Sequence, residues 1–344
     1  MMITWVMICA LAQIMTSFGP SSPQDPTLAL TGDIMMGTTF PTLQLPVEDG
    51  KFLFTDTSPF LKRADVALGN LEGTLCDEGK TKKEISKINY AFRTPTTFSS
   101  RLQEAGFDFM SMANNHSFDF GIKGVKSTMH SLDSLQIKHA GIRGGIEKTV
   151  LIRNDIKYGI CAFGHNSHTL RHQDLKTVGR IISDLVKNTD IVIVSFHGGA
   201  EGNSKNRLPY ETEMFLEEDR GNLREFAHYC IDAGADVVFG HGPHVLRAVE
   251  LYKGRFIAYS LGNFCTPYGI NITGIAGYAP ILELKIAKDG NFLKGKIHSF
   301  IQVKGRGPRT DNEHHAAREI RRLTNLDVPD TPLIITDNGN IFRI

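Results

Sequence analysis

The sequence has almost no excess charge of either sign. Lys and Arg number 38 and Asp and Glu 37 in 344 residues, a net charge of +1. That balance excludes a basic field for nonspecific nucleic-acid binding and an acidic field for cationic partners. A cysteine framework is also missing. Cys9, Cys76, Cys161, Cys230 and Cys265 are widely spaced and none forms a C-x-x-C pair. Zinc-ribbon and thioredoxin-type sites are therefore excluded, and scattered core cysteines remain. No hydrophobic run reaches the roughly 20 residues of a membrane span. There is no internal repeat, no G-x-S-x-G elbow, no phosphate-cradling G-x-x-x-x-G-K-[ST] and no H-E-x-x-H.

What is present is a globular composition, 41% hydrophobic and 22% charged, and a length that suits two domains or one large α/β domain. Residues 1–24 carry no charged side chain, and residues 3–15 (ITWVMICALAQIM) are strongly apolar. With Ala10-Leu11-Ala12 as an A-x-A-like cleavage site, this segment is expected to be a signal peptide. An uncleaved membrane anchor and a buried N-terminal element are the alternatives. The linker-like FGPSSPQDP at 18–26 disfavours the buried element. The chain is thus expected to be exported to the periplasm or the cell exterior, or held at the membrane. The remainder divides into a main domain at 25–305 and an extension at 306–344.

Apolar runs at 28–31, 64–68, 107–113, 145–152, 158–163, 191–196, 236–239 and 256–260 predict strands. Helical patterns lie at 97–105, 122–135, 178–187 and 220–233, which makes the fold α/β. The tail predicts a hairpin from 279–286 and 292–303. A helix capped by Asp311 and running to 323 follows, and then a hairpin around Asp337-Asn338-Gly339. Nearly every apolar strand ends in Gly or Asn beside a metal-ligand type. These endings are Asp33; Asn70 and Glu72; Asn115 and His116; His197 and Glu201; His241 and His244; and Asn263. Ligands in open α/β sheets bind beyond the carboxyl ends of strands, so six such endings suggest one converging site. Mixed carboxylate, imidazole and amide donors suit Mn, Zn, Fe or Ni.

Six segments in order carry a resemblance: TGDIM at 31–35, LGNLEG at 68–73, ANNHSFDFG at 113–121, VSFHGGAE at 194–201, GADVVFGHGPHV at 234–245 and YSLGNF at 259–264. They resemble the capsule synthesis protein CapA family, which includes components of poly-γ-glutamate biosynthesis and is related to the calcineurin-like metallophosphoesterases. The resemblance covers about 27–268. It implies a four-layer α/β/β/α sandwich with two central sheets and a site for divalent metal, two ions in the expected case, hence a metal-dependent hydrolase acting on a phosphoester or an amide. Matched motif by motif, Asp33, Glu72, Asn115, His197, His241 and His244 would hold metal and His116 would act as general acid. Asn70, Asn114, Asp119, Glu201 and Asn263 would touch substrate or support the ligands. Three departures stand out. The usual first D-x-H reads G-D-I-M, the bridging Asp is replaced by Asn70 or supplied by Glu72, and the last motif is G-H-x-x-H. The implied partners are an anionic polymer or a phosphorylated or amide substrate, and a membrane synthesis complex; nucleic acid is not among them. A non-catalytic polymer-binding or export component and a generic exported phosphatase are the alternatives. Of the 13 histidines, four belong to these motifs. His165, His168 and His172 suggest a substrate rim, and the other six look incidental.

Overall fold

The computed structural model describes residues 25–344 except Lys82, Lys87 and Ile88. The expected signal peptide and Cys9 lie outside the described residues. The continuous apolar runs become strands buried on both faces, Ile191–His197 and Val237–His241, as expected of parallel strands between two layers. They form the centre of a six-stranded sheet. Its order is Val249–Tyr252, Arg255–Ala258, Val237–His241, Ile191–His197, Ile156–Phe163 and Lys148–Arg153. The four inner strands are parallel and the two outer ones antiparallel. A nine-stranded sheet runs in the order Leu333–Ile335, Asn340–Arg343, Phe292–His298, Ile281–Ile286, Thr27–Ile34, Val66–Leu71, Phe109–Ser111 and Lys138–Ala140. Asn263–Cys265 pairs with Thr27–Ile34 in addition.

Alternation along the strands sorts their side chains between layers. Leu28, Leu30, Val66, Leu68 and Phe109 join Ile160 and Ile193 in a core between the sheets. Ala29, Ala67 and Met110 point the other way, onto helices α1 (Ser58–Arg63), α2 (Ser99–Ala105) and α3 (Gly121–Ser134). Val178, Ile181 and Leu185 of α4 (Leu175–Asn188) and Phe226 and Cys230 of α5 (Leu223–Asp232) cover the smaller sheet. Each of the larger apolar side chains contributes roughly 1.5–3 kcal/mol by leaving water. The result is the α/β/β/α sandwich. Cys76, Cys161, Cys230 and Cys265 are buried and unpaired. Among the described residues no helix is long and apolar enough to cross a membrane.

The tail differs in detail from its pattern. The arm expected at 292–303 splits at Ser299, so Phe292–His298 stays in the large sheet while Phe300–Val303 pairs with Gly307–Thr310. Helix α6 (His315–Asp327) runs past the expected end at 323. Asp311 accepts from the His315 amide at 2.6 Å, but the residue at the cap position is His314. Ala316, Ala317, Ile320 and Leu323 of α6 enter the core between the sheets, and Asn340–Arg343 pairs with Phe292–His298. The strand Val249–Tyr252 was not evident in the sequence. Helix α5 starts at Leu223 rather than 220, because Arg220 is held in an extended pairing with Glu213 and Gly221 turns with φ +88°.

One buried ion pair fixes the loops above the site. Arg247 donates through Nη1 and Nη2 to Glu213 at 2.6 and 2.7 Å and through Nε to the Lys205 carbonyl at 2.9 Å. Glu213 also accepts from the Ala200 amide. Removing one partner strands the other as a buried charge. Arg247→Ala should therefore lower unfolding stability by about 3–5 kcal/mol. The double replacement Glu213→Leu/Arg247→Leu should lower it less than Arg247→Ala alone, as chemical denaturation will show.

Candidate metal centre

The two sheets present their parallel strand ends to one another. In the large sheet Asp33 lies beside Asn70 on one neighbour and Asn263 on the other. The register explains how Asp33 comes to face inward. Leu30 pairs with Leu68 and Asp33 with Asn70, three steps against two, so an extra residue is inserted at Gly32. That bulge turns Asp33 to the side shared by Val66, Leu68 and Asn70. Gly32 is required there, because a Cβ would stand 2.1 Å from the Gly262 carbonyl oxygen. In the small sheet His197 and His241 are register partners at adjacent strand ends. His244 follows in a turn that holds it at φ +57°.

Asp33, Glu72, His197 and His241 are fully buried. One ligand atom from each of Asp33, Glu72 and His197 falls within 4.8 Å of the others. His197 Nε2 is 3.3 Å from Glu72, and His241 Nδ1 and His244 Nδ1 are 3.3 and 2.9 Å from the two oxygens of Asp33. Asn70 lies between the carboxylates. Its amide donates to Asp33 at 2.8 Å and Glu72 at 2.7 Å, and its oxygen accepts from Asn114. Asn70 is thus a donor to both carboxylates, and Glu72 supplies the anionic oxygens at this strand end. Asn114 also accepts from the His116 amide at 3.0 Å.

His116 stands at the wall of this centre. Its Nε2 is 4.0 Å from Glu72, and its Nδ1 is held at 2.9 Å by Asp119, which also accepts from the Phe92 amide. Phe92 packs its ring against the imidazole at 4.5 Å. Lys83 pairs with Asp119 and donates to the Asn115 carbonyl at 3.0 Å. Lys83 and Phe92 were missed in the sequence. They lie in a stretch without apolar periodicity, and only the fold carries that stretch to His116.

A cavity of about 750 Å³ opens onto the centre, lined by Lys83, Phe92, Asn115, His116, Glu201 and His244 among others. Glu201 is 3.9 Å from His244 Nε2 and accepts from Arg220 at 2.8 Å. Asn263 donates to the carbonyls of His244, Asn271 and Ala276, so it ties the His244 turn to the far wall. His165 and His172 are not on the rim. Both are buried, His165 stacked on His197 at 5.7 Å and His172 against Phe226. Burial lowers them to about 4 and about 3, so they stay neutral. His168 stacks on the exposed Phe118. His139, His228 and His298 each face a carboxylate away from the centre.

The donor chemistry fits divalent metal. Glu72 Oε1, Asn115 Oδ1, Asn263 Oδ1 and both ring nitrogens of His197 and His241 are buried without hydrogen-bond partners. Native proteins rarely leave such atoms unmet. Burial alone would raise Asp33, but His241 and His244 hold it well below the usual carboxylate range. Burial also raises Glu72, and the opposing charge of His197 brings it down to about 2. Burial lowers His244, but Asp33, Glu201 and Glu72 outweigh it and raise the imidazole to about 10.

Comparison with known proteins places these residues among relatives. The profile of the bacterial capsule synthesis protein family PGA_cap matches residues 27–268. A capsule biosynthesis protein CapA of Bacillus anthracis is 27% identical over 261 residues, covering 71% of this chain and 60% of its own length. A PGA biosynthesis protein CapA of Bacillus subtilis (strain 168) is 28% identical over 256 residues, covering 70% and 63%. The chain thus spans about three fifths of the length of these curated relatives. A hypothetical protein from Thermus thermophilus superposes with a TM-score of 0.50 at 15% identity, covering 80% of this chain and 99% of its own, a likeness of fold alone.

Two outcomes are expected. Asn70→Ala exposes Asp33 and Glu72 to each other's charge and frees both to rotate, so affinity for Mn or Zn should fall about 10- to 100-fold in equilibrium dialysis. His244 is raised above its unfolded value, so the metal-free protein carries it protonated at neutral pH. Metal that takes this imidazole must displace the proton. Uptake at pH 7 should therefore release a proton in weakly buffered solution, and that release should disappear in His244→Ala.

Proposed function

The chain belongs to the bacterial capsule synthesis protein family PGA_cap, and we propose that it is an exported metal-dependent hydrolase acting on a phosphoester or amide during assembly of an anionic cell-surface polymer. The observation that carries this reading is the meeting of Asp33 and the partnerless ligand atoms of Glu72, His197 and His241 with the His116–Asp119 pair. Asn115 and His244 complete the ligand set, and Glu201 stands beside it. Two divalent ions suit this number of donors. A divalent ion held there supplies a Lewis acid and a water activated at neutral pH.

The chain's own residues divide the remaining work. Asp119 holds His116 Nδ1, which leaves Nε2 on the side of Glu72 and able to hand a proton to a leaving group. Phe92 keeps water from the back of the imidazole. The cavity of about 750 Å³ is larger than a reacting phosphate or amide and accommodates a stretch of chain. The names of the Bacillus relatives, capsule and PGA biosynthesis, support a polymer as the source of that stretch; the partners in this reading are membrane-bound synthesis proteins.

The test is a panel of phosphoesters and γ-glutamyl amides on metal-loaded protein. His116→Ala should keep its metal by elemental analysis yet lose about 10²- to 10⁴-fold in turnover, whereas His241→Ala should lose metal and turnover together. Absence of divalent metal from protein prepared without chelator would overturn the metal reading. Saturable polymer binding with no turnover would replace a hydrolase with a polymer-binding component.

A further inference from the structure

Arg220 is a cation of the cavity wall whose guanidinium is both buried and only partly used. The residue is 3% exposed. Its Nε donates to Glu218 at 2.9 Å, its Nη1 to Glu201 at 2.8 Å, and its plane lies over the Phe215 ring at 5.1 Å. Its backbone is pinned as well, with the amide on the Glu213 carbonyl and the carbonyl on the Gly199 amide. Among the described residues nothing accepts from Nη2, and Arg220 lines the cavity. Three of the guanidinium's constraints come from groups that are themselves at the cavity mouth. Glu201 reaches on to His244, and Glu218 is also 3.4 Å from His165 Nε2.

We propose that Arg220 is a specificity-determining residue, whose free Nη2 binds an anionic oxygen, carboxylate or phosphate, on the substrate unit next to the reacting bond. The location of that bond rests on the hydrolase reading above. A guanidinium held on two sides has lost its rotational freedom before substrate arrives, so little entropy opposes the contact. Its charge is matched by Glu201 and Glu218. It therefore recognises through directed N–H bonds rather than through a field, which is how a chain of net charge +1 can select an anion. Lys83 cannot take this role, because Asp119 and the Asn115 and Tyr90 carbonyls already occupy its ammonium.

The test is equilibrium dialysis of metal-loaded full-length protein against three labelled probes. They are a γ-glutamyl tetramer, a γ-aminobutyryl tetramer with the same amide chain but no side carboxylates, and a glycerol-phosphate oligomer. Arg220→Gln should weaken one of the two anionic probes about 10- to 100-fold and leave the neutral tetramer unchanged; which anionic probe responds identifies carboxylate or phosphate. Arg220→Lys should fall between. Metal content and melting temperature report whether the Gln variant folds, and if it does not, Arg220→Lys carries the same comparison. Equal weakening of all three probes, or of none, overturns the proposal. So does failure of the unaltered protein to bind either anionic probe. Selective binding without turnover supports the proposal and overturns only the hydrolase reading.

Discussion

Two carboxylates, Asp33 and Glu72, are buried side by side where the two sheets meet, and the surrounding structure is organised to make that tolerable. Isolated buried charges of like sign repel one another and forfeit their hydration. Here the Asn70 amide donates to both, and the imidazoles of His197, His241 and His244 face them. An acidic residue in place of Asn70 would add a third like charge and remove the amide that donates to the other two. The carboxylates hold their charge because imidazoles surround them, and His244 holds its proton because carboxylates surround it. Such a cluster is preloaded for a cation that replaces the proton.

The sheets and the loops have different tasks. Parallel strands end at fixed heights, so Asp33, Asn70 and Asn263 stand in one row and His197 and His241 in another. Rigid placement of ligands follows from sheet hydrogen bonding. The loops bring groups that line the cavity. The segment before Arg93–Thr94 supplies Lys83 and Phe92 to the His116–Asp119 pair, and the loop after His197 supplies Glu201 and Arg220. That second loop is long, and the Glu213–Arg247 pair anchors it to the polypeptide just past His244. The cavity wall can thus change by loop substitution while the strand-end side chains stay in place.

Much of the site was legible because its residues lie at strand ends, where a Gly or Asn beside a ligand type is visible in one dimension. Asp33, Glu72, Asn115, His116, His197, His241 and His244 all stand out in this way; the structure buries Asp33, Glu72, His197 and His241 together and sets Asn115, His116 and His244 on the cavity wall. Their roles were less legible. Asn70 and Glu72 both match the bridging position in one dimension, and in the fold the Asn70 amide points its hydrogens at the carboxylates. His165 and His172 have ligand-like spacing, yet His165 is stacked on His197 and His172 packs against Phe226. His139, His228 and His298 looked incidental and each has a carboxylate partner brought from elsewhere in the chain.

The sequence by itself determined the α/β alternation, the apolar strands that must lie between layers, and the residue types available for metal. These depend on local periodicity and on chemistry that each side chain carries wherever it sits. Only the tertiary structure decided that Asp33 faces inward, because a single inserted residue at Gly32 reverses the side on which it emerges. Only it decided that α6 and the last hairpin join the main layers, since their apolar faces are completed by residues far away in the chain. The presence of Arg220 and Lys83 beside the centre was likewise decided by packing. Long-range proximity in this protein is set by how two sheets stack, and stacking leaves no mark at the positions it brings together.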